Sequence, residues 1–543
     1  MSLKFIDEKG KLLFIAMKVL LIAPYIHKIF EAKKQPIKEP YVQTANETVE
    51  QKEEKFKRNL KLGFTPVRED FYPSTALLHL AAILRVNKFE TKIIDLNNTV
   101  VHSHNEKYLD YCKKVIIKAL EEFKPDLVGI NCLFSGAFPD VLELARTIKS
   151  HSPNLKIATG GIHPTSYPKE ILSNCNEIDY VAIGEGENTI VALAASIKAK
   201  NENLLSHIKS FGYRDKDGVV KINREKNYVE ELNVLPMPAY DLIDFAQFKA
   251  KMDHYYNPKN LPINYKVAIF ASRACPLACN FCDMFLVMGK KHRKRSIKHI
   301  VDEIELLHKE YGVNYFSFMD DNLTLNRSHI MGLCNEILDR KLDIMFDTPN
   351  GVWINSLREE IIEKMVEAGL VRTTIAVEHG NDYIRNEVIG KVLDRKKIVE
   401  VMHMLIKYNV LTVAGFIMGF PEETHETLQD TYDMMDEIKV HKATIGTLMP
   451  FPGTKLFDQV LKENLLIGNW KVDELWKTPI GMSQSGFIIK PYKMSVEELI
   501  EWREKLGKQG MKYWKYNPNF KSRDRYDHII KSSGTTPRLN YSR

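Results

Sequence analysis

An α/β chain built from two successive parallel-sheet units is predicted by three observations. Short apolar runs of strand length alternate with amphipathic helical stretches from Lys18 to about Tyr213, and again from Asn264 to about Asn464. That alternation is the pattern of parallel sheets covered by crossover helices. A proline-punctuated stretch over 214–262, with Pro236, Pro238 and Pro258, separates the two regions. The chain has 543 residues, more than one hydrophobic core ordinarily serves.

The first unit is placed at 17–213. From Met17 the sequence MKVLLIAPY opens directly on a strand, so residues 1–16 are read as an N-terminal extension. Val19–Ala23 is an apolar run with a Pro24-Tyr25 exit. Thr75–Val86 has helical periodicity, and Pro73-Ser74 is a suitable start for it. Lys92–Leu96, Pro125–Asn131, Lys156–Thr159 and Tyr180–Ile183 are the following strands. The third is followed by the helix Pro139–Ser150, the fourth ends in Gly160-Gly161, and the fifth ends in Gly184-Glu185-Gly186-Glu187. In a doubly wound sheet, ligands sit at the carboxyl ends of the strands. The stretch 214–262 reads as a hairpin and a linker.

The second unit, 263–480, holds six apolar strands: Lys266–Ala271, Tyr315–Met319, Ile344–Phe346, Thr373–Val377, Leu411–Met418 and Thr444–Leu448. Ile297, Ile300, Val301, Ile304 and Leu307 form one helical face behind a Ser296 N-cap. Ser356 and Glu359 have capping-box spacing, and Gly369 ends the helix they would open. Six β/α units in a row predict a (β/α)6 partial barrel, with its chemistry at the carboxyl ends of the strands. The remainder, 481–543, is read as a small tail, helical at first and then polar, basic and aromatic.

Composition narrows the function. Hydrophobic residues are 44% and charged residues 27%, the balance of an ordinary globular protein, which excludes a disordered chain or a disulfide-stapled miniprotein. The longest apolar stretch, Leu12–Ile26, is broken by Lys18 and Pro24, short of the ~18 residues of a membrane span. A net charge of +7 is too diffuse to argue for DNA. Of seven cysteines, Cys112, Cys132, Cys175 and Cys334 are scattered, which predicts reduced thiols and a cytoplasmic protein.

The chemistry concentrates at Cys275-x-x-x-Cys279-x-x-Cys282, on the loop after the first strand of the second unit. Three thiolates on one short loop can hold three corners of a cubane cluster and leave one iron open to a small molecule. The alternative is a zinc site, which would need a fourth ligand such as His292 or Cys334. The basic run Lys290-Lys291-His292-Arg293-Lys294-Arg295 is either a solvated loop ahead of the Ser296 helix or a grip on an anionic substrate.

The loop ACPLACNFCDMF resembles the signature of radical S-adenosylmethionine (SAM) enzymes, with Phe281 at its aromatic position. Further motifs fall in that family's order. Asp320-Asp321-Asn322 end the second strand, where the family holds the methionyl amino group of SAM. Glu378-His379-Gly380 end the fourth, where it contacts ribose or carboxylate. Gly415-x-Ile417-x-Gly419-x-x-Glu422 matches the fifth-strand pattern beside adenine, and Met449–Thr454 closes the sixth. The second-strand motif departs from the common GGE form, and His379 stands where close relatives more often have Ser.

The first unit is similar to the cobalamin-binding domain fused before such barrels. Pro24, Tyr25, Ser135, Gly160, Gly161, His163, Gly184, Glu185, Gly186 and Glu187 are the positions this resemblance assigns to cobalamin. His27 matches the cobalt-ligating histidine of some cobalamin domains, but the Asp and Gly around it are missing, which argues against ligation.

The resemblance is to the cobalamin-dependent radical SAM group that includes the phosphonate methylase of fosfomycin biosynthesis and the anaerobic chlorophyll ring cyclase. It implies a [4Fe–4S] cluster on Cys275, Cys279 and Cys282. It implies SAM contacted by Phe281, Asp320, Asp321, Glu378, Gly415, Ile417 and Gly419, together with a bound cobalamin. The implied reaction is methylation of an unactivated carbon through a 5′-deoxyadenosyl radical and methylcobalamin. Radical cyclisation, hydroxylation or rearrangement on the same scaffold is the alternative, and a non-catalytic metal-stabilised binding protein is a third reading. The implied partners are a small-molecule substrate, with an anion as one option, and a one-electron donor such as flavodoxin or ferredoxin.

Overall fold

The computed structural model describes residues 17–24, 72–96, 108–248, 261–467, 472–477 and 487–513. The extension 1–16, Tyr25, His27 and the basic end of the tail lie outside the described residues.

The first sheet has seven strands: β1 (Lys18–Ala23), β2 (Glu90–Asp95), β3 (Leu127–Asn131), β4 (Lys156–Gly160), β5 (Tyr180–Ala182), β6 (Phe211–Arg214) and β7 (Val220–Asn223), in the order β2-β1-β3-β4-β5-β6-β7. The pairings among β1 to β5 are parallel, and β6 and β7 add antiparallel. Val19 to Ala23 are all buried, because helices cover both faces and a strand buried on both faces carries apolar residues continuously. Leu20, Ile22, Val128 and Ile130 pack with the helix Phe138–His151 on one face. Val19, Leu21, Leu127 and Ala158 pack with the helices Thr75–Val86 and Glu187–Lys198 on the other. The strand order reverses at β1, so the crevice of this sheet opens between the ends of β1 and β3. The hairpin expected in the linker is β6 and β7, and it belongs to the first sheet, extending it past β5.

The second sheet holds β8 (Lys266–Ile269), β11 (Tyr315–Phe318), β12 (Met345–Thr348), β13 (Leu370–Glu378), β14 (Leu411–Met418) and β15 (Lys442–Thr447). All are parallel, in the order β15-β14-β13-β12-β11-β8. Between β8 and β11 lies a two-stranded antiparallel ribbon that the periodicity did not announce, β9 (Ser272–Arg273) and β10 (Arg293–Lys294). Val267, Phe316, Phe346, Ile375 and Phe416 join the core under the covering helices. The alternating positions Ala268, Ser317, Ala376, Gly415 and Gly446 therefore face the opposite, inner side, and all are small.

The local signals had mixed outcomes. Ser296 caps its helix by accepting the His299 amide at 3.2 Å. Ser356 does not cap; its hydroxyl is engaged by Thr324 Oγ1 and the Trp353 carbonyl, and the helix starts at Glu359 behind Arg358. The tail helix, Val496–Gly510, docks on β15, where a side-chain carbon at Gly510 would lie 2.3 Å from the Ala443 carbonyl oxygen.

Candidate functional site

The cysteine loop leaves the ribbon at Arg273 and turns through Ala274, which has φ +71°. Its fold is held from outside. The Asn280 amide donates to the Ile389 carbonyl at 3.0 Å, and the Leu456 amide donates to the Asn280 carbonyl at 3.0 Å. Cys275, Cys279 and Cys282 are free and half-buried. Burial raises all three thiols, Cys282 to about 12. Among the described residues no three His, Cys, Asp or Glu side chains are gathered as a site for one metal ion. Cys334, a candidate fourth zinc ligand, lies in the helical core beside Lys364 and Glu367.

The two aspartates at the end of β11 separate. Asp320 is 1% exposed, and its carboxylate accepts from the Ala271 amide at 3.0 Å and from the Ser272 amide and hydroxyl at 2.5 Å each. It was expected to meet SAM; instead it closes the turn that launches the cysteine loop. Asp321 is the residue presented to the loop. Its Oδ2 is buried without a hydrogen-bond partner, as is Asn322 Oδ1, and its charge is felt at Cys275 and Cys282. Burial raises its carboxyl to about 6, against the Ala274 amide and the Arg293 cation.

At the end of β13, Glu378 takes φ +70° and pairs with Lys391 at 2.6 Å. Lys391 has no signal in the sequence pattern. It is brought in by a loop wound around the fully buried Arg385, which donates to the carbonyls of His379, Gly380 and Leu393. The Lys391 cation opposes the burial of Cys279 and Cys275.

His379 turns away from the site. Its Nδ1 accepts the Asn381 amide at 3.0 Å, so Nε2 carries the proton and faces Glu423 Oε1 at 3.4 Å. Glu423 in turn accepts the Gly419 amide at 2.9 Å. The carboxylate organising this strand end is thus Glu423, not the Glu422 of the expected spacing; Glu422 meets Gln459 instead.

Gly419 lies past β14 at φ +104°, and a side-chain carbon there would come 3.2 Å from the Phe487 ring. It is needed for this turn, and it does not line a slot with Gly415. A side-chain carbon at Gly415 would meet the Ile375 carbonyl oxygen at an ordinary 3.7 Å, so its inner side is open. Ile417 and Phe281 share one apolar cluster, with Phe281 edge-on to Phe420 at 6.4 Å between ring centres.

The positions assigned to cobalamin divide into two groups. Pro24 follows β1, and Ser135 begins the 3-10 turn after β3. The Ser135 hydroxyl meets His163 Nδ1 at 2.9 Å. His163 is 1% exposed, and burial lowers it to about 3 against a backbone contact with Trp476, so the ring is neutral. Phe138 and Tyr167 flank it, with ring centres 4.5 and 5.2 Å away. Gly161 has φ +120°, and a side-chain carbon there would sit 2.2 Å from the Cys132 carbonyl oxygen. Its absence lets two strand exits pack, a different reason from the approach of a macrocycle.

Gly184 to Glu187 form the second group; Gly184, Glu185 and Glu187 meet the other unit, and Gly186 packs within the first. The Gly184 position faces the Val287 carbonyl oxygen at 3.2 Å, and Gly186 faces Leu80. Glu185 and Glu187 pair with Arg293 and Arg273. The basic run is therefore neither a solvated loop throughout nor an open anion grip. Arg293 and Arg295 are buried in ion pairs, the latter with Glu303, and Lys291 pairs with Glu230.

Two family models match the chain, the B12 binding domain over residues 65–194 and the radical SAM superfamily over 269–435. The chain is a radical SAM enzyme with a cobalamin-binding domain. An uncharacterized methyltransferase of Pyrococcus horikoshii is 28% identical over 401 residues, 74% of this radical SAM enzyme and 81% of the relative. The cytidylyl-2-hydroxyethylphosphonate methyltransferase of Streptomyces wedmorensis is 26% identical over 432 residues, covering 73% and 79%. The fold is shared with the radical SAM methyltransferase TsrM of Kitasatospora setae, at a TM-score of 0.62 and 16% identity over 91% of this chain and 83% of that one.

The residues of this radical SAM enzyme fit its cofactors. Three free cysteines on one loop are the kind of sulfur donors a [4Fe–4S] cluster takes. The orphaned Asp321 oxygen can accept from an ammonium group beside them, and Ser135 and His163 set a polar pair after β3 and β4 of the first sheet. Among the described residues no helix is long and apolar enough to cross a membrane.

Proposed function

We propose that this enzyme is a C-methyltransferase acting on an unactivated carbon of a small molecule. The observation that carries the reading is that the cobalamin-assigned edge of the first sheet is packed directly on the cysteine-loop segment. The helix Ile162–Ser166 contacts the helix Met284–Met288, which follows the last cluster cysteine. Both cofactors would then address one space, as transfer of a methyl group to a substrate radical requires. Two of the relatives named above are themselves called methyltransferases, which supports the same reading.

When bound, the cluster, SAM and cobalamin supply reductive SAM cleavage and methyl delivery. The chain's own residues supply binding and orientation. Cys275, Cys279 and Cys282 hold the cluster. Asp321 accepts the SAM ammonium, and Lys391, paired with Glu378, sets a cation beside the cysteine loop. Gly415 leaves room for the adenine, against which Ile417 and Phe281 pack. Ser135 and His163 contact cobalamin from the first sheet. The small, part-exposed inner positions Ala376 and Gly446 leave space for substrate. A one-electron donor, flavodoxin or ferredoxin, starts turnover.

The test is incubation of the reduced, cofactor-loaded enzyme with trideuteromethyl-SAM and the small-molecule fraction of cells lacking it. A product carrying three deuterons is expected. Formation of 5′-deoxyadenosine with an unlabelled product would assign cyclisation, hydroxylation or rearrangement instead.

A further inference from the structure

The contact between the two units is not an ordinary apolar interface. Arg273 and Arg293 stand directly opposite each other on the β9–β10 ribbon. Cross-strand neighbours of like charge repel, and these two side chains are 10% and 3% exposed. Two carboxylates of the first unit neutralise them. Glu185 takes Arg293 in a bidentate pair, at 2.9 and 2.7 Å, and touches Arg273 at 3.2 Å. Glu187 takes Arg273 at 2.6 Å. The remaining bonding capacity is also directed. Arg293 donates to the Val229 and Met288 carbonyls, each at 2.7 Å, and Glu185 accepts the Val229 amide at 2.7 Å.

Such a cluster is poor evidence of stability, because desolvating four charges cancels much of their attraction. Its distinctive property is geometric. Apolar surfaces can slide over one another at little cost, whereas a bidentate guanidinium–carboxylate pair has one alignment. The two ends of the cluster are also informative. Glu185 and Glu187 sit at the carboxyl edge of the first sheet, just after β5. Arg273 is two residues before Cys275, and the Arg293 charge reaches Asp321.

We propose that Glu185, Glu187, Arg273 and Arg293 form a positioning device that fixes the cobalamin-bearing edge in one register against the iron–sulfur loop. The device acts through the backbone of β9, β10 and the turn after β5, and none of its four side chains touches a cofactor. It requires that both cofactors bind and does not depend on methyl transfer being the outcome.

The test uses the complete enzyme loaded with cluster and cobalamin. With both centres paramagnetic, the reduced cluster and cob(II)alamin give a dipolar splitting in the electron paramagnetic resonance spectrum that depends steeply on their separation and orientation. Glu185→Gln is expected to retain wild-type iron, sulfide and cobalamin while the splitting broadens or weakens. Glu187→Gln, which removes one pair only, should give a smaller change in the same direction. An unchanged splitting in Glu185→Gln overturns the proposal. If that variant fails to fold, the double variant Glu185→Met with Arg293→Met removes the stranded charge and decides the matter. A disturbed splitting supports the device, and a wild-type splitting overturns it. Failure of the double variant to fold also overturns it, because the cluster would then serve stability rather than register.

Discussion

Asp320 and Asp321 are adjacent in sequence, and the structure predicts opposite consequences when each is changed. Asp320→Ala removes the acceptor of two buried amides, Ala271 and Ser272. A buried donor left without a partner costs about 1–3 kcal/mol, so the pair should destabilise the barrel by about 4 kcal/mol. At roughly 2–4 °C per kcal/mol for a domain of this size, the melting temperature should fall by about 10 °C. The Asp320 carboxyl, raised by burial to about 6, is still ionised at neutral pH, so removing its buried charge recovers part of this loss and makes about 10 °C an upper figure. Asp320→Asn keeps one acceptor oxygen and should fall between. Asp321→Asn keeps the shape and changes an oxygen that makes no internal hydrogen bond. Its melting temperature should stay near wild type. Its SAM affinity should fall about 10- to 100-fold, the effect of losing a charge-assisted hydrogen bond of about 1.5–3 kcal/mol. Anaerobic thermal melts followed by near-ultraviolet circular dichroism give the first quantity. SAM titration followed by the resonance of the reduced cluster gives the second. If Asp320→Ala melts with wild type and loses SAM as Asp321→Asn does, the division of roles is refuted.

Three further outcomes are expected. Gly415→Leu should keep the cluster and lose SAM affinity at least about tenfold, since only open inner space receives the side chain; Gly419→Val, strained at φ +104° against Phe487, should lose cluster as well, and iron counts separate the two. Lys391→Met removes a buried cation beside Cys279 and should move the cluster to a more negative potential in a redox titration; an unshifted midpoint would place the charge out of reach. His79 is lowered to about 4, first by burial and then by Arg273. The unfolded chain therefore binds more protons between about 6.5 and 4, so this stability is present above about pH 6.5 and is lost as pH falls toward 4. At pH 5 the loss is about 2 kcal/mol, and His79→Leu should flatten the acid limb of a stability–pH profile.

The sequence by itself determined the parallel strands of both sheets, because alternating apolar strands and amphipathic helices are local patterns whose periods of 2 and 3.6 can be counted. It also determined the cysteine loop, since three ligands within eight residues are close whatever the rest of the chain does. Asp320 and Asp321 looked alike in sequence. Which one faces the loop depends on where the Ala271–Ser272 turn places its amides, 48 or 49 residues away along the chain. Lys391 was invisible because its approach to Cys279 requires the loop wound around Arg385. Glu185 and Glu187 were read as part of a cofactor cradle, since small residues and carboxylates after a strand have the same sequence whether they meet a ligand or another domain. Only the tertiary structure, by bringing Arg273 and Arg293 to the same spot, decided that they meet the barrel. A buried charge must find its partner wherever the fold supplies one, and no spacing along the chain records where that is.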